Sequence, residues 1–458
     1  MRQLFGTDGI RGIAGTAPLD TRTVYAVGLA LAHQLRPAAL RSGQLSSSLG
    51  PRVILGRDTR ESSPWIANLL AAGLRAGGAE VESTGIVPTP AIAYLAHTHG
   101  FHAGVVISAS HNPWEDNGIK LFGPDGKKLP DQTELAIEEI IFKHAISTDP
   151  PELDSLPPVD DLPHYAQEYV EFLLAAAPAL NLAGLKIVVD CANGAASTIA
   201  PLLFAKLGGE VELLNASPDG RNINDHCGAL HPETVAAETL ARGASLGITF
   251  DGDADRCLFS GSSNNVINGD AILLIAARDL QSRGLLTGGV VVATTMSNMG
   301  LEAALKRSGI TMLRSAVGDR YVLELMQQKR AALGGEQSGH ILFPHLATTG
   351  DGLLTALVVL DLIVRTGKTI EELTADLKVF PQVIVNVKVR EKKPLESIPS
   401  VAERIRAAEK ELADSGRVVI RYSGTEALAR VMIEAESEEA MLRHADAIAE
   451  AIRTELGV

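Results

Sequence analysis

From Arg52 onward the chain repeats one pattern: a short apolar or β-branched run, a glycine-containing loop, then a longer stretch with apolar residues at helical spacing. Strands alternating with helices predict parallel sheets. In the first region RVILG (52–56), EVES (80–83) and AGVVIS (103–108) read as strands, and Pro64 to Ala76 as a helix opened by Ser62, Ser63 and a first-turn proline. The Pro- and Asp-rich stretch from Ser147 to Pro163 reads as the first linker. A second unit carries LKIVVD (185–190), a helix near Ala195 to Leu207, EVELLNA (210–216), a helix from Pro232 and LGITF (246–250). A third runs from about Asp270, with GGVVVATT (288–295), TMLRS (311–315) and AALGG (331–335) as strands. After Gly350 a helix leads to Arg365. The tail then changes character, with VIVNVKV (383–389), RVVIRYS (417–423), ARVMIEA (429–435) and two helices.

This pattern predicts an α/β fold: three similar α/β units with mixed, mainly parallel sheets plus a smaller C-terminal α+β domain. The boundaries expected are 1–160, 161–262, 263–378 and 379–458. Ligands of open α/β sheets gather outside the carboxyl ends of strands, so loops from the four units could meet at one central cleft.

Composition narrows the classes of function. A chain of 458 residues with 46% hydrophobic and 21% charged residues can bury several cores, which excludes disorder as its main state. Aromatics at 4% argue against stacking platforms for bases or glycans. Lys and Arg number 41 against 55 Asp and Glu, a net charge of −14 that opposes a nucleic-acid or anionic-membrane partner. Cys191, Cys227 and Cys257 are widely spaced and form no C-x-x-C pair, so neither a disulfide framework nor a thiolate zinc site is expected. The first fifteen residues lack the build of a signal peptide, and no apolar run approaches the roughly 18 residues of a membrane span. A soluble, cytoplasmic chain is the expectation.

Four loops carry candidate chemistry. Ser108-Ala109-Ser110-His111-Asn112-Pro113 follows a strand and reads either as a polar turn or as a nucleophile loop, with His111 beside the serine and Lys120 downstream. Asp251, Asp253 and Asp255 alternate after LGITF; three such carboxylates repel one another unless a cation sits between them, and Mg²⁺ with open coordination sites resolves that. An EF-hand is excluded because Arg256 stands at its glycine position and Ser262 at its final glutamate. In Gly334-Gly335-Glu336-Gln337-Ser338-Gly339-His340 the glycines permit close backbone approach, Glu336 and Ser338 could bind sugar hydroxyls, and His340 could move a proton or be structural. In the fourth, Arg421 and Arg430 flank Ser423-Gly424-Thr425, which reads as a phosphate clamp or as solvated charge.

Two further matches fail on order. Gly243-Ala244-Ser245-Leu246-Gly247 fits G-x-S-x-G, but a helix precedes it and a strand follows, the reverse of a nucleophile elbow. Gly367-Lys368-Thr369 lacks the earlier glycine of a phosphate-binding loop, where Leu362 stands.

Taken together, the opening Phe5-Gly6-Thr7-Asp8-Gly9-Ile10-Arg11-Gly12, ISASHNP with DNGIK, DGDADR, GGEQSGH and RYSGTE resemble the α-D-phosphohexomutase superfamily, in the family's order and over nearly the whole chain. Asn222-Ile223-Asn224-Asp225, leading through Cys227-Gly228 to His231-Pro232-Glu233, and Gln337 are similar to the branch acting on glucosamine phosphates. The resemblance implies interconversion of glucosamine 6-phosphate and glucosamine 1-phosphate, on the route to UDP-N-acetylglucosamine. It proceeds through a phosphoserine enzyme and a hexosamine 1,6-bisphosphate.

Residue by residue, the resemblance makes Ser110 the phosphorylated serine. It makes Asp251, Asp253 and Asp255 the Mg²⁺ ligands, with the phosphoserine as a further ligand. Arg256 becomes a phosphate-side cation, Glu336 and Ser338 the sugar readers, and Lys120 and His340 proton-transfer candidates. Arg11 and His111 line the centre, and Arg421, Ser423, Gly424, Thr425 and Arg430 form a distal phosphate clamp. A small phosphosugar is then the partner, with a homodimer as the expected assembly. Mannose or glucose phosphate mutase activity, and a non-catalytic phosphosugar sensor, are the alternatives. Ala427, where the family usually has proline, and GSSNNVING (261–269), which replaces a more acidic connector, depart from the pattern.

Overall fold

In the computed structural model, residues 4–6, 8–36, 50–143, 145–423 and 427–458 are described. The first sheet contains β1 (Ile10–Ile13), β2 (Arg52–Arg57), β3 (Glu80–Ile86), β4 (Ala103–Ile107) and β5 (Asp116–Phe122), in the order β1-β5-β4-β2-β3. β2 pairs parallel with β3 and β4, while β5 pairs antiparallel with β4 and β1. The second sheet repeats this plan with β6 (Lys186–Asp190), β7 (Glu210–Leu214), β8 (Leu246–Phe250), β9 (Cys257–Gly261) and β10 (Val266–Ile267), in the order β10-β9-β8-β6-β7. Its centre β7-β6-β8 is parallel and its edge β8-β9-β10 antiparallel. β4 and β8 are buried along their whole lengths. That is why both read as unbroken apolar runs instead of alternating ones.

The third sheet, β12-β11-β13-β14, contains β11 (Val290–Thr294), β12 (Thr311–Ser315) and two very short strands, β13 (Gly334–Gly335) and β14 (Ile341–Leu342). The strand expected over 331–335 is therefore shorter. Arg330 takes a left-handed conformation and the N–H of Ala331 donates to Met326, so the first residues of that run close the preceding helix. The stretch expected as a linker is tied to the first sheet: Asp161 accepts two bonds from Arg57, at 3.0 and 2.9 Å, and one from Ser83 at 2.7 Å.

The chain forms two compact units, Met1–Met296 with Met312–Thr374, and Ser297–Thr311 with Ala375–Val458. In the first, α1 (Thr21–Leu35) lies against α2 (Ser63–Ala76) with backbones touching: a Cβ on Gly28 would stand 2.3 Å from the carbonyl oxygen of Leu70. Gly28→Ala must push the helices apart. It is expected to cost about 1–3 kcal/mol, the usual range for overpacking, read as a lower urea midpoint with unchanged slope; an unchanged midpoint would refute the close packing.

The second unit is a three-stranded antiparallel sheet, with β17 (Leu428–Ala435) between β15 (Gln382–Lys388) and β16 (Gly416–Tyr422). Helix Met299–Arg307 joins it through Glu434, a fully buried carboxylate that accepts from the N–H of Met299 at 2.5 Å and from Arg417 Nε at 2.7 Å. Among the described residues, no helix is long and apolar enough to cross a membrane.

Candidate active site

β4 delivers the chain into the serine loop, where Ser110 adopts φ 53°, a left-handed conformation rare for a residue with a side chain. Such strain persists only where surroundings over-determine it. Here the N–H of Ser110 donates to Ser108 Oγ at 2.9 Å. Its carbonyl oxygen accepts from Arg60 at 3.0 Å and from Asn224 Nδ2 at 2.9 Å. Arg60, fully buried against Asp58, also donates to the carbonyls of Asn112, Pro113 and Asp116. The hydroxyl thus aimed donates to Asp251 Oδ2 at 2.5 Å and lies 3.4 Å from His111 Nδ1.

The acidic loop joins β8 to β9. Asp251, Asp253 and Asp255 are buried, and each places a carboxylate oxygen within 4.8 Å of the others. Asp253 Oδ2 accepts from Thr89 Oγ1 at 2.5 Å and Lys120 Nζ at 2.7 Å. Lys120 Nζ also stands 3.3 Å from Asp8 and 3.6 Å from Asp255. Asp253 Oδ1 is buried with no hydrogen-bond partner, and Asp255 Oδ1 is met at longer range by two cations, His340 Nδ1 at 3.5 Å and Arg256 Nε at 3.9 Å. An unpaired carboxylate oxygen inside a triad of buried acids is costly. The residues present therefore fit a small divalent cation with oxygen ligands, such as Mg²⁺.

Burial, with the charges of Asp255 and Asp253, pushes Asp251 up to about 8. Burial acts to raise Asp255 too, but Lys120 and His340 outweigh it and hold Asp255 well below the usual carboxylate range. For His340, burial is outweighed by Asp255, 3.5 Å from Nδ1, and by Asp319 beyond Nε2, so the ring is raised to about 9 and is cationic at neutral pH. His111 moves the other way, to about 4, through burial and the nearby Arg256 and Arg11. Lys120 is buried, yet Asp253, Asp8 and Asp255 raise it, so the ammonium is locked on.

The third loop leaves β13 and returns on β14. Glu336 accepts from the N–H of Gly318 at 3.0 Å and from Ser338 Oγ at 3.4 Å. Gln337 turns aside to Asp270, at 3.3 Å, so this residue type serves the loop's footing. The His340 ring lies flat against Gly350, where a Cβ would meet Nε2 at 2.2 Å. The N–H of Cys257 donates to the carbonyl of Gly339 at 3.0 Å, joining this loop to the acidic one.

These three loops meet at a cavity of about 570 Å³ whose wall includes Arg11, Ser110, His111, Asp255, Arg256, Glu336 and His340. Lys120, Asp251, Asp253 and Ser338 are not part of that wall. The wall also has residues that sequence reasoning missed as site members: Asp8, Lys128, Asp319 and Arg320. Lys128 bridges Asp8 and Asp319, at 2.7 Å from the latter. Asp8 belongs to the opening motif, which was its one local signal; Lys128 looks like turn charge.

In the second unit, Arg421 on β16 faces Arg430 on β17 as a directly paired position. Like charges across an antiparallel pair repel unless an anion lies between them. Ser423 follows Arg421 at the strand end, its N–H donating to Leu428 and its carbonyl accepting from Lys392 at 2.7 Å. Gly424 and Thr425 lie outside the described residues.

Four family descriptions match in order: phosphoglucomutase/phosphomannomutase alpha/beta/alpha domain I over residues 2–147, domain II over 167–263, domain III over 268–380, and the C-terminal domain over 384–451. The chain belongs to the phosphoglucomutase/phosphomannomutase family. It is 56% identical to the phosphoglucosamine mutase of Koribacter versatilis, covering 100% of this chain and 98% of the relative. It is 48% identical to that of Solibacter usitatus, covering 100% and 99%. Among solved structures, a phosphoglucomutase/phosphomannomutase family protein from Burkholderia thailandensis superposes with a TM-score of 0.78 at 26% identity, covering 100% of both chains.

Proposed function

We propose that this phosphohexomutase interconverts glucosamine 6-phosphate and glucosamine 1-phosphate, with Ser110 as the group that carries the phosphoryl. The observation that carries the reading is the Ser110 hydroxyl, 2.5 Å from a carboxylate of the acidic triad at the wall of the cavity. Phospho-Ser110 gives its phosphoryl to the free sugar hydroxyl: the new P–O bond forms as the Ser110 Oγ–P bond breaks. The hydroxyl proton passes to His111, the neutral ring beside Ser110 at the cavity wall, and the product is a hexosamine 1,6-bisphosphate. That intermediate turns over in the cleft and returns its other phosphoryl to Ser110. Asp251, Asp253 and Asp255 would hold a divalent cation, which would supply charge neutralisation at the serine-linked phosphate.

The chain's own residues supply the rest. Arg256 and Arg11 face phosphate, Glu336 and Ser338 read ring hydroxyls, and His340 is the proton-transfer group of the sugar loop. Lys120 holds its proton among Asp253, Asp8 and Asp255. To the second unit's Arg421, Ser423 and Arg430, with Gly424 and Thr425 of the same loop, we assign the binding of a sugar phosphate. The domains expected at 1–160, 161–262, 263–378 and 379–458 contribute the serine, cation, sugar and distal-phosphate loops in turn. Three free, buried cysteines support a reducing, cytoplasmic setting.

Intact mass followed by a three-sugar assay tests this reading. The expected result is one phosphoryl group on the isolated protein, removed by incubation with sugar phosphate, and fastest turnover with glucosamine 1-phosphate over the mannose and glucose compounds. Steady release of inorganic phosphate, or equal rates on all three sugars, would overturn it.

A further inference from the structure

The Asn222-Ile223-Asn224-Asp225 motif has no part in the roles assigned above, yet it meets the serine loop. Asn224, 9% exposed, donates from Nδ2 to the carbonyl of Ser110 at 2.9 Å and to that of Asn112 at 3.2 Å, across more than a hundred residues of sequence. With Arg60 as the other donor, both lone pairs of the Ser110 carbonyl are filled. The peptide plane that follows Ser110 is then fixed from two sides.

Asn224 is itself held. It takes φ 58°, which asparagine tolerates better than most residues, and its N–H donates to the carbonyl of Ala192 at 2.9 Å. The N–H of Ala192 in turn donates to buried Asp190 at 2.9 Å. On the other side lies Gly252 of the acidic loop: a Cβ there would stand 2.5 Å from the Ser110 oxygen and 2.9 Å from Asn224 Nδ2. Serine loop, acidic loop and Asn224 thus converge on one spot with no room for a methyl group.

We propose that Asn224 is a positioning residue for Ser110, setting the register of the serine loop on the acidic loop so that Oγ faces the triad. This rests on the reading of Ser110 as the phosphoryl carrier. Asn224 touches no substrate atom in this account; it acts through the backbone of Ser110. A displacement of the reacting group by about 1 Å can cost on the order of a hundredfold in rate.

Asn224→Asp keeps size and tolerance of positive φ but cannot donate; Asn224→Gly keeps the conformation with no side chain. For both, kcat is expected to fall roughly tenfold to a hundredfold, with KM for glucosamine 1-phosphate within about twofold of wild type. Rates are normalised to folded protein by circular dichroism and thermal melting. A purely structural role would lower the melting temperature and leave kcat per folded molecule unchanged, and that result overturns the proposal. So does a raised KM at wild-type kcat. Intact mass of the wild type separates the two levels: no phosphoryl on Ser110 overturns the serine reading and this proposal with it. A phosphorylated wild type with both variants at wild-type kcat overturns the positioning role alone.

Discussion

Ser110→Ala turns over glucosamine phosphates at least about a thousandfold more slowly than wild type, while its affinity for both sugar phosphates stays within about twofold. The geometry gives the reason for the split. The neighbouring hydroxyls of Ser108, which receives the N–H of Ser110, and of Thr89, which donates to Asp253, are buried and do not line the cavity, whereas Ser110 does. Removing one oxygen therefore leaves no group to carry the phosphoryl. The binding loops are untouched, since Glu336 is held by Gly318 and Ser338, and the arginine pair lies on other strands. Alanine at φ 53° is strained much as serine is, and the carbonyl bonds from Arg60 and Asn224 do not involve the side chain, so the loop keeps its shape. Intact mass should show no phosphoryl adduct, and calorimetric titration with each sugar phosphate should show near-normal binding. Turnover above about a tenth of wild type, with a normal melt, would refute the role given to Ser110.

The groups that were legible from sequence and those that were not differ in the range of their contacts. Ser110, the three aspartates and the Glu336 loop each follow a strand in a compact motif, so their chemistry could be read from neighbours a few positions away. Arg60 binds the Ser110 carbonyl from 50 positions away, Asn224 from 114, and Lys128 reaches Asp319 over 191. Even where a motif marks the residue, as for Asn224, nothing in a local window says what it faces, because topology decides that. Arg60 sits in a polar turn and would pass as surface charge, though it is 1% exposed.

The same limit governed the elements. α1 has no clear helical stripe because Thr23 to Gly28 and Ala30 to Ala32 are all buried, which removes the apolar-polar contrast that periodicity needs. The strand expected at 331–335 is shorter, Gly334–Gly335, for a related reason: apolar residues closing a helix look like a strand start. Gln337 suggested the substrate branch, and its side chain turns to Asp270 instead of joining the cavity wall.

Removing divalent cations with a chelator is expected to stop turnover, and Mg²⁺ to restore it, but the sharper measurement is stability. Asp251, Asp253 and Asp255 are buried within 4.8 Å of one another, with Lys120 shared between Asp253 and Asp8. Mutual repulsion there is relieved by an ion that binds the folded chain and has no such site in the unfolded one. At Mg²⁺ a hundredfold above its dissociation constant, wild type should gain about 2.7 kcal/mol of stability. Asp255→Asn is the informative variant. It leaves the Ser110–Asp251 bond and the Lys120–Asp253 pair in place, whereas changing either other aspartate would break one of them. Losing one of three charges should weaken Mg²⁺ binding roughly tenfold, so at the same concentration the gain falls to about 1.4 kcal/mol. Denaturation with and without Mg²⁺ reads both values without reference to catalysis. If Mg²⁺ leaves the wild-type curve unmoved, or shifts wild type and Asp255→Asn equally, the triad is not the cation site.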